Sequence, residues 1–382
     1  LLTEHKLIRS TITGGAEFQP VPTVWTGDRI VFAACFADSL NLWQVAISPK
    51  TLQVSGVPQR LTSGTGLELD PSLWQGPQKT RLVFSTLTEN ADIWSLALDP
   101  NKAKVSGEPQ RLTQDVAADI RPCINADGAK LVFNSNRSGN WDVWLKDLST
   151  GRESAITSAP INEESPRITP DGTKVAYRVT EGNSVAAYVM PLSGGVPQKV
   201  RECGSVFPWA ADGRRFLCAV RDGLALTDAA TGESKLIAAP PAAFAARLSW
   251  DDHWLTFYRF EAGRGRIYVV PVREDRPADE KDLIAVTDGS SRDALPEFSP
   301  DGSLVYFMSV RDGFECLWVQ RLDPAAKTPQ GAPFPVYHFH SARRSPAYVR
   351  PGQRAISIAR DKIVFTMEEH AGNIWMAELD NF

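Results

Sequence analysis

Most features that would assign a chemistry at a glance are missing from this sequence. Positive charge is not in excess: 41 lysines and arginines stand against 45 aspartates and glutamates, a formal net charge of −4. The clusters Arg343-Arg344 and Lys199 to Arg201 are too small to build the basic face that nucleic-acid binding needs. No apolar run approaches the roughly 18 to 20 residues of a membrane span. No Gly-x-Ser-x-Gly elbow, His-Glu-x-x-His helix or phosphate-binding glycine loop occurs, so a hydrolase or a nucleotide enzyme lacks its usual parts. Helix-period patterns of any length are absent too.

Histidine and cysteine are scarce, five of each. His5, His253 and His370 are scattered; His338 and His340 alternate in a strand-like stretch and so share one face, a metal pair to be weighed against an ordinary surface strand. Cys35, Cys123, Cys203, Cys218 and Cys316 are odd in number with no Cys-x-x-Cys spacing, which favours buried free thiols. A Cys203 to Cys218 bridge stays open for an oxidising compartment. There is no initiator Met and no basic-then-apolar leader at Leu1-Leu2-Thr3-Glu4, so the sequence reads as a fragment or a processed form.

What is present is repetition. Val54 to Thr62 reads VSGVPQRLT and Val105 to Thr113 reads VSGEPQRLT, with GGVPQKV at Gly194 to Val200 as a weaker copy; recurrence at a period of roughly 40 to 50 residues marks an array of like units. The best-formed unit is Ile120 to Thr157. Ala126-Asp127-Gly128 and Asn136 to Asn140 reverse the chain, because Asp bonds its own backbone and Gly accepts a positive φ. Leu131-Val132-Phe133 and the alternating Asp142 to Leu148 read as strands.

Units of this kind are expected at residues 17–62, 69–113, 120–157, 163–200, 205–238, 245–287, 295–336 and 356–382, the last offering only three strands. An orphan strand, Leu7 to Thr13, resembles the end of a repeat and supplies the missing fourth. Pairing the two chain ends closes a ring and removes exposed sheet edges. The expectation is therefore an all-β chain forming one domain over residues 1–382: an eight-bladed β-propeller of four-stranded antiparallel blades, closed by its N-terminal strand. The third-strand aromatics Trp43, Trp94, Trp144, Tyr188, Tyr268, Trp318 and Trp375 are read as packing between blades.

The stretches SPDGSLVYFMSVRDGFECLWV, TPDGTKVAYRV and NADGAKLVFNSNRSGNWDVWL resemble the TolB-like propeller repeat, a relative of the WD repeat whose signature turn is Pro-Asp-Gly. The SGxPQRLT phrase and the closing IARDKIVFTMEEHAGNIWMAEL are similar to the C-terminal sensor propellers of bacterial protein kinases and winged-helix regulators. That resemblance implies a partner- or ligand-sensing piece of a larger bacterial protein, on the extracytoplasmic side, with no kinase motif of its own. Such a fold serves many functions, so the function has to be argued from the site.

In a propeller of this type, the loops entering the first strands and those joining second to third strands share the channel mouth. Entering loops carry Glu17, Glu68, Asp70, Asp119, Arg121, Glu163, Glu164, Arg292, Asp293, Arg343 and Arg344, an acidic arc facing basic residues, and clefts of one sign concentrate opposite charge. A peptide, protein or small ligand is the expected partner there; the plainer reading is that loops are polar because they are wet. No cofactor is expected, although carboxylates converging on one axis make a calcium ion conceivable. Neither nucleic acid nor a membrane span is expected, and the chain is read as a monomer. The function read from these features is a non-enzymatic binding module acting as sensor or scaffold. The rival is a carbohydrate-active enzyme of the polysaccharide lyase kind, with Arg121 or Arg343 on a uronate and no matching histidine motif.

Overall fold

The computed structural model describes residues 21–36, 39–77, 79–182, 184–239 and 243–379, so Glu17 and the expected closing strand at residues 7–13 lie outside the described residues. Among those described, all regular structure is β-strand except three single 3-10 turns, Glu280–Asp282, Pro346–Tyr348 and Pro351–Gln353. The chain divides into two compact units: residues up to 89 together with those from 370, and residues 90–369.

The second unit is a propeller. Residues 119–155, 163–202, 206–238, 244–285 and 293–337 each form a four-stranded antiparallel sheet of consecutive strands, here blades I to V. Their first strands, Asp119–Ile124, Glu163–Ile168, Val206–Trp209, Phe244–Leu248 and Asp293–Phe298, neighbour one another around a channel, and Ile356–Ile358 fills the gap between the last and the first. Ile356–Ile358 belongs to a composite sheet drawn from both ends of this unit. It pairs with residues 363–365, and Leu98 N donates to Asp361 O at 3.0 Å. Residues 94–95 and 98–99 pair in turn with Gln110–Arg111 and Lys104–Val105.

The number of blades is therefore five, not eight. The expected second blade required Arg81 to Phe84 and Asp92 to Leu96 to be separate strands, but they are one strand, Thr80–Asp99. The expected eighth blade fails in the same way, because Lys362–Leu379 is also a single strand. Local chemistry explains the difference. In each of blades I to V the second and third strands reverse through a positive-φ glycine, as at Gly139 (φ +101°) and Gly313 (φ +89°). The stretch Ser85 to Ala91 has no Gly or Pro, and its threonines favour extended backbone. Gly372 does not turn the other strand; a Cβ there would lie 2.8 Å from Thr86 O, so it serves close backbone approach.

In the first unit, Val21–Thr26, Arg29–Phe36, Ser39–Ile47 and Val54–Arg60 run antiparallel in order. They do not stand as a separate blade, since Leu40 bridges in parallel to Leu67 of the strand Leu67–Gln75. A small apolar cluster of Ile30, Phe32, Ala34, Trp43, Val45 and Ile47 packs one face of this sheet.

Each blade interface of the second unit carries its own apolar cluster. Middle strands are covered on both faces, which is why they read as continuous apolar runs: Leu131, Val132 and Phe133 are all fully buried. Tyr306 and Phe307 point to opposite sides, one toward the composite sheet with Trp94, Ile356 and Phe365, the other toward blade IV with Ile267 and Val269. The Tyr306 hydroxyl donates to Pro100 O at 2.7 Å, so the buried ring leaves no polar atom unpaired. Cys203 and Cys218 form a disulfide, while Cys35, Cys123 and Cys316 are free.

Candidate functional site

Four of the first strands in the second unit share a local design. A residue in the left-handed region (Arg121 φ +55°, Ser165 +56°, Ala245 +47°, Leu295 +56°) precedes Pro122, Pro166, Ala246 and Pro296. The ladder to the second strand shifts register at this point. Such a bulge bends the strand and re-aims the side chain that follows. The residue after it is Cys123, Arg167, Arg247 or Glu297, and the next, Ile124, Ile168, Leu248 or Phe298, is buried in the blade core.

Cys123, Arg247 and Glu297 therefore meet at the channel, with Pro208 and Ser357 from the remaining strands, and line a cavity of about 250 Å³. It opens among Ala126, Pro170, Ala211 and Asp252, which belong to the turns between first and second strands, and is walled by Trp209 and Trp250. Arg247 Nε donates to Glu297 Oε1 at 2.5 Å, and Ser357 Oγ accepts from Ile124 N at 3.2 Å. Arg167 is buried in the same group. Its Nη1 donates to Pro166 O at 2.9 Å, but its Nε has no partner. Burial, and then repulsion from Arg247, lower its pKa to about 10. Burial pushes the Glu297 carboxyl up, against the pull of Arg247 and Arg167.

Arg247 and Arg360 line the cavity with Glu297 and Asp252, and Arg167, close enough to feel the charges of Arg247 and Glu297, adds an unbalanced positive charge beside it. Asp252 occupies the turn position that Gly holds in other blades, at φ +60°, and accepts from Ala211 N at 2.9 Å. An enclosed guanidinium without a carboxylate of its own is costly unless an anion joins it.

The residues singled out from sequence occupy different surroundings. Asp119 is fully buried and takes both Arg137 Nη2 contacts, at 3.0 and 2.9 Å; burial raises its pKa despite Arg137. Asp293, equally buried, accepts from Ser309 Oγ at 2.6 Å and Arg311 Nη2 at 2.7 Å. Glu163 is buried beside Thr157 and Asp142, and burial raises its pKa. Arg121 and Glu164 pair with each other at 2.8 Å, Arg121 also donating to Gly352 O and Glu164 accepting from Arg178. Burial raises the Glu164 pKa, but Arg121 and Arg178 outweigh it and the net direction is downward. Arg344 lies 4.6 Å over the Trp94 ring and 3.6 Å from Glu369. Arg292 lies 3.8 Å from Glu315, and Arg343 is exposed. In the first unit, Glu68 is buried and accepts from Asn41 Nδ2 at 2.7 Å and from Thr62 Oγ1, whereas Asp70 (φ +50°) is exposed.

The recurring QRLT phrase explains this arrangement. Thr62 Oγ1 accepts from Leu42 N at 2.9 Å and Thr113 Oγ1 from Ile93 N at 3.0 Å; Thr157 and Thr287 do likewise for Val143 and Ile267. The arginine of the phrase holds a buried polar residue of the strand it pairs with: Arg60 on Asn41, Arg111 on Asp92. Of the entrance acids, Glu68 accepts from Thr62 of the phrase, while Thr113 donates to Asp92 Oδ1 beside the buried Asp119. The Glu68 contact latches a fourth strand to the beginning of the next sheet. The channel residues were missed because their signal is short: the position after Pro, before the last apolar residue ahead of the turn, in RPCIN, SPRIT and LPEFS. One group in the second unit, Asp312, Cys316, His338 and His340, has the donors to hold a metal ion.

A ring of four-stranded antiparallel sheets around a channel defines a β-propeller, and no family model matches the chain. Partial matches narrow the class. The chain is 38% identical over 77 residues to tricorn protease homolog 1 of Streptomyces coelicolor, covering 19% of this chain and 7% of that protein. It is 31% identical over 74 residues to the Tol-Pal system protein TolB of Francisella tularensis, covering 19% and 17%. The structure of a putative TolB from Agrobacterium tumefaciens superposes with a TM-score of 0.50 at 20% identity, over 65% of this chain and 89% of that one. TolB from Acinetobacter baumannii gives 0.49 at 15%, over 92% and 82%. The fold is a TolB-like β-propeller with bacterial relatives. The matches span between 7% and 39% of the length of the first curated relatives.

Proposed function

We propose that this chain is a non-enzymatic recognition module, a sensor or scaffold within a larger bacterial regulatory protein, and that its channel binds an acidic group of a peptide, protein or small ligand. One observation carries the reading: Arg167 is enclosed beside the channel cavity with its Nε unpartnered, while Glu297 is held by Arg247. A carboxylate is the simplest group to complete Arg167, because guanidinium presents a planar fork of donors. Apolar walls from Trp209, Trp250 and Pro208 suit the remainder of such a ligand. The sign differs from that expected at the opposite mouth, where the entrance acids hold protein groups. Arg343 remains exposed there as a candidate contact.

The test is a library of hexapeptides with free C-terminal carboxylates, measured against the same library amidated, on the wild type and on Arg167→Gln. Preference for the free acids, lost in the variant, is the expected result. Equal binding of both libraries by the wild type would overturn the assignment of the channel.

A further inference from the structure

We propose that blade V carries a zinc site formed by Asp312, Cys316, His338 and His340, independent of the channel. One donor atom from each of the four lies within 4.8 Å of every other. The contacts converge on one carboxylate oxygen: His338 Nδ1 is 2.6 Å and His340 Nε2 2.9 Å from Asp312 Oδ2. Tetrahedral zinc with bonds of roughly 2.0 Å to nitrogen or oxygen and 2.3 Å to sulfur needs donors about 3.3 to 3.5 Å apart. To reach that, the two histidine–carboxylate pairs open by roughly 0.4 to 0.7 Å and the widest pairs close by no more than about 1.5 Å, within the reach of side-chain rotation.

The backbone explains why these four meet. Asp312 sits in the hairpin between Leu304–Ser309 and Cys316–Leu322, beside the turn glycine Gly313, and Cys316 begins the next strand. His338 and His340 follow the outer strand Pro329–Tyr337. Phe339 between them is buried, 5.1 Å from Phe365, which turns both imidazoles to the other side, where their centroids are 4.7 Å apart. Supporting contacts hold the donors in place. Phe339 N donates to Cys316 Sγ at 3.3 Å and Phe314 N to Asp312 Oδ1 at 3.3 Å. Phe314 packs on His340 at 4.5 Å and Trp318 stands edge-on to His338 at 6.4 Å. Outer-shell contacts of this kind orient metal ligands.

The donor chemistry selects the ion. One sulfur, two imidazole nitrogens and one carboxylate suit zinc, whereas calcium and magnesium want oxygen alone. Thiolate and carboxylate together neutralise the 2+ charge, and binding releases the thiol proton to solvent. With four protein donors, no coordination position is left open for substrate. The site is a structural clip that ties the exit of the outer strand to the hairpin beside it.

The experiment is metal analysis of the purified chain after chelator treatment and reloading with Zn²⁺, with Co²⁺ as a spectroscopic probe. One equivalent of zinc is expected. The Co²⁺ form should show intense tetrahedral visible bands and a near-ultraviolet sulfur-to-metal band. Cys316→Ser should lose the sulfur band, and His338→Asn with His340→Asn should weaken zinc affinity by more than about 100-fold, exceeding the loss typical of an outer-shell contact. Circular dichroism of each metal-free variant confirms that it is folded. A wild type that retains no zinc, or a Cys316→Ser protein with an unchanged Co²⁺ spectrum, would overturn the site.

Discussion

Arg247 and Glu297 hold the same place on neighbouring first strands and join across the channel wall at 2.5 Å, Nε to Oε1. Both are enclosed, and Arg167 stands at the equivalent place of blade II with no such partner. The pair thus neutralises one guanidinium and leaves the other. A buried pair of this kind contributes little net stability when intact but costs much when one partner is removed.

Replacing the acid follows directly. Glu297→Gln leaves Arg247 and Arg167 facing each other, and the second unit should lose about 3 to 5 kcal/mol. Succinate should raise the melting temperature of the variant more than that of the wild type, because the added anion replaces the missing charge. Thermal melts with and without succinate measure both effects. Equal responses would separate the arginines from anion binding.

The strand-to-strand latch makes a second prediction. Thr113 Oγ1 accepts from Ile93 N and donates to Asp92 Oδ1 at 3.0 Å. Thr113→Val keeps the shape and removes the hydroxyl, so buried groups lose their partner at a cost of about 1 to 3 kcal/mol. Thr113→Ser should retain most of the stability. In the first unit Glu68→Ala should act likewise, lowering denaturant resistance, since Glu68 is buried against Asn41 and Thr62. Chemical denaturation of the three variants compares them.

These latches also show what the sequence made legible. The all-β propeller class followed from recurrent phrases and turns, and hairpins such as the one at Asn136 to Asn140 were readable because glycine and polar side chains fix a reversal locally. The number of blades was not, because an expected hairpin at Ser85 to Ala91 has no residue that enforces a turn, and pairing elsewhere in the sheet decides whether the chain reverses. The surroundings of the entering-loop charges were not legible for a related reason. Charge on an entering loop does not reveal whether a side chain faces solvent or a neighbouring strand, and Asp119 and Asp293 are fully buried. Arg167 and Glu297 lie inside strands that read as structural, and only the bulge before them turns them to the channel.

The disulfide admits a direct measurement. Cys203 and Cys218, 5.8 Å apart at Cα, close a loop with a sequence separation of 15. A loop of that size restricts the unfolded chain by about 3 kcal/mol. The variant with both cysteines replaced by serine should melt roughly 6 to 12 °C lower, at about 2 to 4 °C for each kcal/mol. Intact mass under non-reducing alkylation checks the bond in the wild type. An unchanged melt for the double variant would show that the bridge contributes nothing to stability.

Acid should affect the junction between the composite sheet and blade I in an unusual direction. Burial raises the Asp92 carboxyl to about 6; Arg111 pulls it back without cancelling the burial, and Asp119 pushes it further up. Its folded pKa therefore exceeds the model-peptide value near 3.9, so the folded protein holds this proton more tightly than the unfolded chain. The resulting stability is fully present below about pH 4 and is lost as pH rises through about 6. Most aspartates with lowered pKa, such as Asp147 at about 2 under the hydroxyl and backbone donors of Ser149 and Thr150, do the opposite and lose their contribution only in stronger acid. Asp92→Asn removes the titration, so its stability relative to the wild type should rise between pH 4 and pH 7. Melting temperatures of both proteins across that interval test the sign, and a difference that stays flat would show that Asp92 titrates normally.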